Sequence, residues 1–245
     1  MAELDALYAE LWSAHGDAFG TLDRSLAPRS WELLFDVMGT AGFGPESIVA
    51  DVGCGRGNHC EEFDRRFGCR AVGIDRVLQP MQAATLSDAH LSAAEFLQGE
   101  IEALPLQEGS VDFVWCRDML VHVRNPEAAM RECFRILRHG GKMLAWVTTQ
   151  TDLMEKLEAE RLYAPLAIYP DSVSRRQLEA SFENAGFSVL QHEELGSELI
   201  EFYEERDGRA SRELMRIARM RRRREELIAS GVRHDTRRLT LYITG

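Results

Sequence analysis

Lysine is nearly missing from this 245-residue chain: Lys142 and Lys156 are the only two. Positive charge is carried by arginine instead, and even so 29 Lys+Arg face 40 Asp+Glu, for a formal net charge of −11. That balance repels phosphate backbones and anionic lipid, so no nucleic acid and no membrane surface is expected as a general partner, and small molecules fit better. No apolar run approaches bilayer-crossing length, and the N-terminus MAELDALYAELW lacks the basic-then-apolar order of a secretory leader. Paired cysteines are absent too. Cys54, Cys60, Cys69, Cys116 and Cys133 are odd in number and scattered, which argues against a disulfide framework and for a reducing, cytoplasmic setting. Cys54, His59 and Cys60 form the one local group of metal-ligating types, but no second ligand pair follows at zinc-like spacing, so no metal is expected.

What is present is an ordinary globular composition, 45% hydrophobic and 28% charged, at a length that one α/β domain with an insertion or cap accounts for. From residue 47 the pattern repeats as strand, loop, helix. SIVADV reads as a buried strand, HCEEFDRRFG as a helix, RAVGID as a second strand and PMQAATLSDAHL as a helix entered through Pro80. AEFLQG and SVDFVWC follow as strands three and four, NPEAAMRECFRIL as a helix, and KMLAWVTT as a fifth strand after Gly140 and Gly141. Such alternation means βαβ units, hence a doubly wound, mostly parallel sheet covered on both faces. Outside this core, PRSWELLFDVMG reads as an amphipathic helix; RRQLEASFENAGF as another; SVLQHEEL and RRLTLYIT as further strands; and the stretch around residues 209–229 as a long arginine-rich helix.

The chemistry concentrates in VADVGCGRGNH, residues 49–59, where Gly53, Gly55 and Gly57 follow the first strand. A loop without Cβ atoms admits positive φ and lets backbone approach a ligand closely. Asn58 stands where the dinucleotide fingerprint G-x-G-x-x-G needs its third glycine. Asp51 opens the loop, and its negative charge suits a cationic amine better than a pyrophosphate.

DVGCGRG resembles the D/E-x-G-x-G-x-G motif of class I S-adenosylmethionine-dependent methyltransferases of the small-molecule type. Other segments, in the same order, are similar to that family's. In AVGIDR, Asp75 ends the second strand, where the resemblance implies an acid on the ribose hydroxyls. In GEIEALPLQEGSVDFV, Glu100 stands where the family commonly has an Asp facing the adenine amino group, with Ile101 beside the ring. ILRHGGKMLAW is similar to the family's LRPGG turn, with His139 in place of proline. The resemblance covers about residues 47 to 148. It implies a Rossmann-like fold with a seven-stranded sheet, and S-adenosyl-L-methionine as cofactor with S-adenosyl-L-homocysteine as product. The cofactor would be held by Asp51, Gly53, Cys54, Gly55, Gly57, Asp75, Arg76, Glu100, Ile101 and Arg117. It further implies a single methyltransferase domain divided into a helical N-terminal lid at 1–46, a cofactor-binding core at 47–150, and a substrate-side region with a helical insertion at 151–245.

After strand four, WCRDMLVHV places Asp118 and His122 four residues apart. On a helical turn both would face the same way, with Cβ atoms about 6 Å apart. This stretch resembles the RD-x-x-x-H region of phosphoethanolamine and glycine or sarcosine methyltransferases. A histidine near neutral pKa suits proton removal from a methyl acceptor, and a carboxylate nearby can orient it or the substrate. His122 as general base and Asp118 as its positioning partner are therefore the catalytic candidates. The plainer alternative has His122 on a helix face and Asp118 as a cap. Tyr8, Trp12, His15 and Phe19 could shield a sulfonium as part of a lid, or simply pack.

The activity expected is methyl transfer to an oxygen or nitrogen, with carbon ranked behind, of a small-molecule acceptor. Alternatives are a noncatalytic cofactor-binding protein of the same fold, an NAD-dependent oxidoreductase, against which Asn58 counts, and a methyltransferase acting on proteins. The arginine-rich helix could support a homodimer.

Overall fold

In the computed structural model, β1 (Ile48–Val52) runs through the middle of the sheet, buried along nearly its whole length. The structure describes residues 31–77, 94–150, 167–194 and 235–244, with Ala6 alone ahead of them. The aromatic N-terminal segment, the expected helix over PMQAATLSDAHL and the arginine-rich helix lie outside the described residues. In chain order the elements are α1 (Trp31–Gly39), β1, α2 (Asn58–Phe67), β2 (Arg70–Asp75), β3 (Ala94–Gln98), β4 (Val111–Arg117), a 3₁₀ turn at Leu120–His122, α3 (Pro126–Ile136), β5 (Leu137–Gln150), α4 (Pro170–Val173), α5 (Arg175–Ala185), β6 (Phe187–Glu194) and β7 (Asp235–Thr244). No helix among the described residues is long and apolar enough to cross a membrane.

The strands lie in the order β3-β2-β1-β4-β5-β7-β6. The first five are parallel, and β7 enters antiparallel between β5 and β6. Alternate side chains of each strand supply opposite faces. Val49, Ala71, Phe113, Trp115, Leu144 and Trp146 meet Leu34, Phe35 and Met38 of α1 and Cys60 and Phe63 of α2. On the other face Ala50, Val72, Val114, Cys116, Met143 and Ala145 meet Met130, Cys133 and Ile136 of α3 and Leu178 and Phe182 of α5. Full burial of each large apolar side chain contributes roughly 1.5–3 kcal/mol, so both layers hold the central strands in place. Trp115 anchors the first layer, its ring centroid 4.7 Å from that of Phe35 and 5.2 Å from that of Phe63.

Local chemistry fixes the helix ends. Asn125 accepts a hydrogen bond from the Ala128 N–H, and Pro126 takes the first position of α3, where its missing N–H costs nothing. The fifth strand begins earlier than its glycines indicate. Leu137 already pairs with Val111, and the register shifts before Phe113 opposes Lys142. Gly140, at φ 75°, absorbs that irregularity, so the turn expected before the strand is a bend inside it.

Candidate functional site

The strand order reverses between β1 and β4, and the crevice outside their carboxyl ends is where open α/β sheets take ligands. The loop after β1 is pinned there by its own backbone. The Gly53 N–H donates to the Ile74 carbonyl at 2.7 Å, and the Cys54 N–H to the same oxygen at 3.2 Å. Gly53 has φ 82°, and a Cβ on it would lie 2.7 Å from Cβ and Cγ of Met119. Only glycine allows both that backbone and that approach, so the loop after β1 packs directly on the turn after β4.

Asp75 stands at the end of β2 and ties into the same loop. Its Oδ2 accepts the Gly55 N–H and its Oδ1 the Val77 N–H, both at 2.9 Å. Burial raises its pKa while these backbone bonds pull the other way.

Asp51 stands one residue before the end of β1, with 1% of its surface exposed. Its Oδ2 accepts the Cys60 thiol at 3.6 Å and lies 3.8 Å from His59 Nδ1. Burial pushes the Asp51 carboxyl up to about 7, the thiol hydrogen bond opposing this and nearby Asp75 adding to it. Burial also pushes the Cys54 and Cys60 thiols up.

His59 is a residue the sequence pattern offered only as part of an unconvincing metal group. Its Nε2 lies 3.0 Å from an Arg117 guanidinium nitrogen. A guanidinium only donates, so Nε2 accepts and the remaining proton sits on Nδ1, the nitrogen nearest Asp51. The ring is therefore neutral, and burial first and the Arg117 charge second hold its pKa well below the usual value. Arg117 Nε in turn stands 3.5 Å from Asp118 Oδ2. One chain of polar contacts thus joins Asp51, His59, Arg117 and Asp118 across the β1/β4 crevice.

The turn after β4 differs from the helical geometry on which the Asp118 and His122 pairing was founded. Asp118 has φ 53°, and the 3₁₀ turn starts only at Leu120. The Asp118 N–H goes back to the Trp146 carbonyl at 2.8 Å, and the turn has no side-chain cap. Asp118 is therefore neither a cap nor an i,i+4 helical partner of His122; its carboxylate meets Arg117 instead. His122 Nδ1 meets the Ala167 carbonyl oxygen at 3.1 Å. Burial lowers the His122 pKa, the Ala167 hydrogen bond opposes this, and the Arg76 charge lowers it further.

Past β3, Glu100 has a half-exposed side chain that reaches Arg76 at 3.7 Å, while Ile101 is 5% exposed and belongs to the core. Gln98 Nε2 donates to the Arg76 carbonyl at 3.0 Å, binding the ends of β2 and β3 together. The candidates from β1, β2 and β4 are thus linked by direct contacts, and Glu100 joins them through Arg76.

Asp51 provides the test of fit for a cationic ligand. Its direct contacts among the described residues are a thiol and a neutral imidazole, and the Arg117 charge offsets only part of its burial, so an ammonium beside it would add a direct opposite charge. The glycine loop, with Asp75 on its far side, fits a nucleoside approached by backbone and a carboxylate.

Residues 50–145 match the family model described as a methyltransferase domain. A ubiquinone biosynthesis O-methyltransferase of Xanthomonas oryzae pv. oryzae is 31% identical over 173 residues, which cover 67% of this chain and 71% of that one. A sterol 24-C-methyltransferase of Gibberella zeae is 25% identical over 192 residues, 75% of this chain and 49% of that one. The chain spans less than half the length of three curated relatives it matches, at 44%, 49% and 40%. Among solved structures, the fold is similar to a putative sarcosine dimethylglycine methyltransferase from Galdieria sulphuraria. That likeness has a TM-score of 0.69 at 18% identity, covering 87% of this chain and 84% of that one.

Proposed function

The chain belongs to the class I S-adenosylmethionine-dependent methyltransferases, and from that premise we propose that it methylates an oxygen or nitrogen, ahead of carbon, of a small-molecule acceptor. The observation that carries this reading is the buried Asp51 carboxyl at the β1/β4 crevice, whose direct contacts are a thiol and a neutral imidazole and whose burial the Arg117 charge only partly offsets.

In this reading Asp51 takes the α-ammonium of the cofactor and Asp75 its ribose hydroxyls, while Gly53, Cys54, Gly55 and Gly57 offer backbone along the nucleoside. Arg117, held by His59 and Asp118, takes the cofactor carboxylate. Arg76 and Glu100 close the adenine end, and Ile101 packs behind it. When bound, the sulfonium supplies an activated methyl group, so the protein's remaining tasks are alignment and removal of one proton. His122 takes that proton, because burial keeps its ring neutral in the physiological range. Asp118, bent out of helical geometry and paired with Arg117, orients an acceptor amine or hydroxyl.

The test uses the full chain with radiolabelled S-adenosylmethionine and a panel of small amines, phenols and alcohols, with S-adenosylhomocysteine as the product measured. His122→Ala should keep cofactor affinity within about twofold and lose at least about tenfold in turnover, the lower reach of general-base contributions. Unchanged turnover removes His122 from the base role. Cofactor binding with no product from any acceptor favours a noncatalytic member of the family.

A further inference from the structure

Two residues other than glycine have positive φ among the described residues, Asp118 at 53° and Ala167 at 50°, and the second lies against His122. An alanine in the left-handed region is strained by about 1–2 kcal/mol, and such a backbone persists only where its surroundings hold it. Here the surroundings are visible. Two residues on, the Tyr169 N–H donates to the Val121 carbonyl at 3.0 Å. Tyr169 is extended, as a residue before proline must be, and Pro170 opens α4. Ser172, fully buried, donates its hydroxyl to the Val123 carbonyl. The segment entering α4 is therefore fastened to the turn after β4 on both sides of His122, and the strained residue is the one whose carbonyl meets the imidazole at 3.1 Å.

We infer that the Ala167 carbonyl is a positioning group that takes the Nδ1–H of His122 and so makes Nε2 the nitrogen that receives the acceptor's proton. A carbonyl oxygen only accepts, so a neutral ring facing it must carry its hydrogen on Nδ1 and its lone pair on Nε2. The inference deepens the reading of His122 as general base and rests on it. In the step it serves, the acceptor's O–H or N–H bond breaks. The proton passes to Nε2, and the freed electron pair forms the bond to the methyl carbon as the sulfur–methyl bond breaks with its pair left on sulfur. The group that sets the base belongs to the substrate-side segment, 45 residues further along the chain. The base is thus correctly protonated only when that segment is docked.

The direct measurement is ¹⁵N NMR of the full chain labelled at histidine, with the His122 signals assigned by their loss in His122→Gln. At a pH where the ring is neutral, the wild type should show a protonated Nδ1 and a bare Nε2. Ala167→Gly, which relieves the strain while keeping the backbone accessible, should keep that tautomer and at least about half the turnover. Ala167→Val, whose branched Cβ opposes positive φ, should move the ring toward a mixture of tautomers. Its kcat should fall at least about fivefold with cofactor affinity unchanged. A wild-type ring protonated at Nε2 overturns the inference, as does a folded Ala167→Val protein with both the wild-type tautomer and wild-type kcat. If the valine variant does not fold, the wild-type spectrum and the glycine variant still decide. A Nδ1-protonated ring in a protein whose His122→Gln variant keeps full turnover would overturn the base reading instead, so the two failures are distinguishable.

Discussion

His59 Nε2 accepts a hydrogen bond from Arg117 at 3.0 Å, so a histidine in the first turn of α2 is the rest for an arginine at the end of β4. The contact spans 58 residues of sequence and crosses the crevice between the two central strands.

Removing that rest should be costly in a specific way. His59→Phe keeps the aromatic packing near Phe35 and Trp115 but leaves a buried guanidinium N–H without this acceptor. It should lose about 1–3 kcal/mol of stability. His59→Gln keeps both an acceptor for Arg117 and a donor toward Asp51, and should recover most of the loss. Urea denaturation of the three proteins decides it, and a phenylalanine variant as stable as the wild type beside a destabilised glutamine variant would mean that ring packing alone matters.

Asp51 ties stability to pH. Burial lifts its carboxyl from 3.8 to about 7 in the folded chain. Below pH 3.8 it is neutral in both states. As pH rises the unfolded chain ionises first, so this group's contribution to stability falls until pH passes about 7, by a total on the order of 4 kcal/mol. Above that it is flat. Asp51→Asn removes the slope, and denaturation midpoints followed from pH 4.5 to 8 should show the variant gaining on the wild type as pH rises. Curves that stay parallel would mean that Asp51 does not titrate in this window.

The same carboxyl should signal ligand binding. An ammonium placed beside Asp51 favours the ionised form, so S-adenosylhomocysteine binding near pH 6.5 should release a substantial fraction of one proton. Calorimetry in buffers of different ionisation enthalpy measures it directly. Asp51→Asn should abolish the release and weaken binding by at least about tenfold, a ΔΔG of about 1.4 kcal/mol. Binding with no proton exchanged would contradict the placement of the amine.

Gly53→Ala combines a strained φ of 82° with a Cβ 2.7 Å from Met119. The loop or the turn after β4 has to shift, and both belong to the site. Stability should fall by about 1–3 kcal/mol and cofactor affinity by a larger factor than Gly109→Ala produces, since a Cβ on Gly109 meets nothing within 4 Å at a comparable φ of 59°. Titration of both variants with S-adenosylhomocysteine separates local strain from the close approach.

Asp75 holds two backbone N–H groups, of Gly55 and Val77. Asp75→Ala orphans both and should unfold earlier by about 2 kcal/mol. Asp75→Asn keeps one good acceptor and should fall between the two while losing much of the ribose affinity. If Asn and Ala are equally stable, the carboxylate is not what shapes the loop.

Much of this was open to reading along the chain, because it depends on neighbours in sequence. Continuous apolar runs marked strands buried on both faces; Asn125-Pro126 marked the start of α3; three glycines after β1 marked a loop requiring unusual backbone; and Asp51 and Asp75 stood at strand ends by position alone. What lay beyond reach depends on chain segments meeting across the sheet. The neutral state of His59 comes from its burial in the fold and from an arginine 58 residues away. The bend at Asp118 comes from a hydrogen bond to Trp146 on the adjacent strand and departs from the helical spacing that paired it with His122. No local pattern distinguishes Ala167 from any other alanine. Periodicity and backbone preference are properties of short stretches and survive in one dimension, whereas a tautomer, a shifted pKa or a strained φ is set by whatever the fold packs against it, and only the three-dimensional arrangement could decide those.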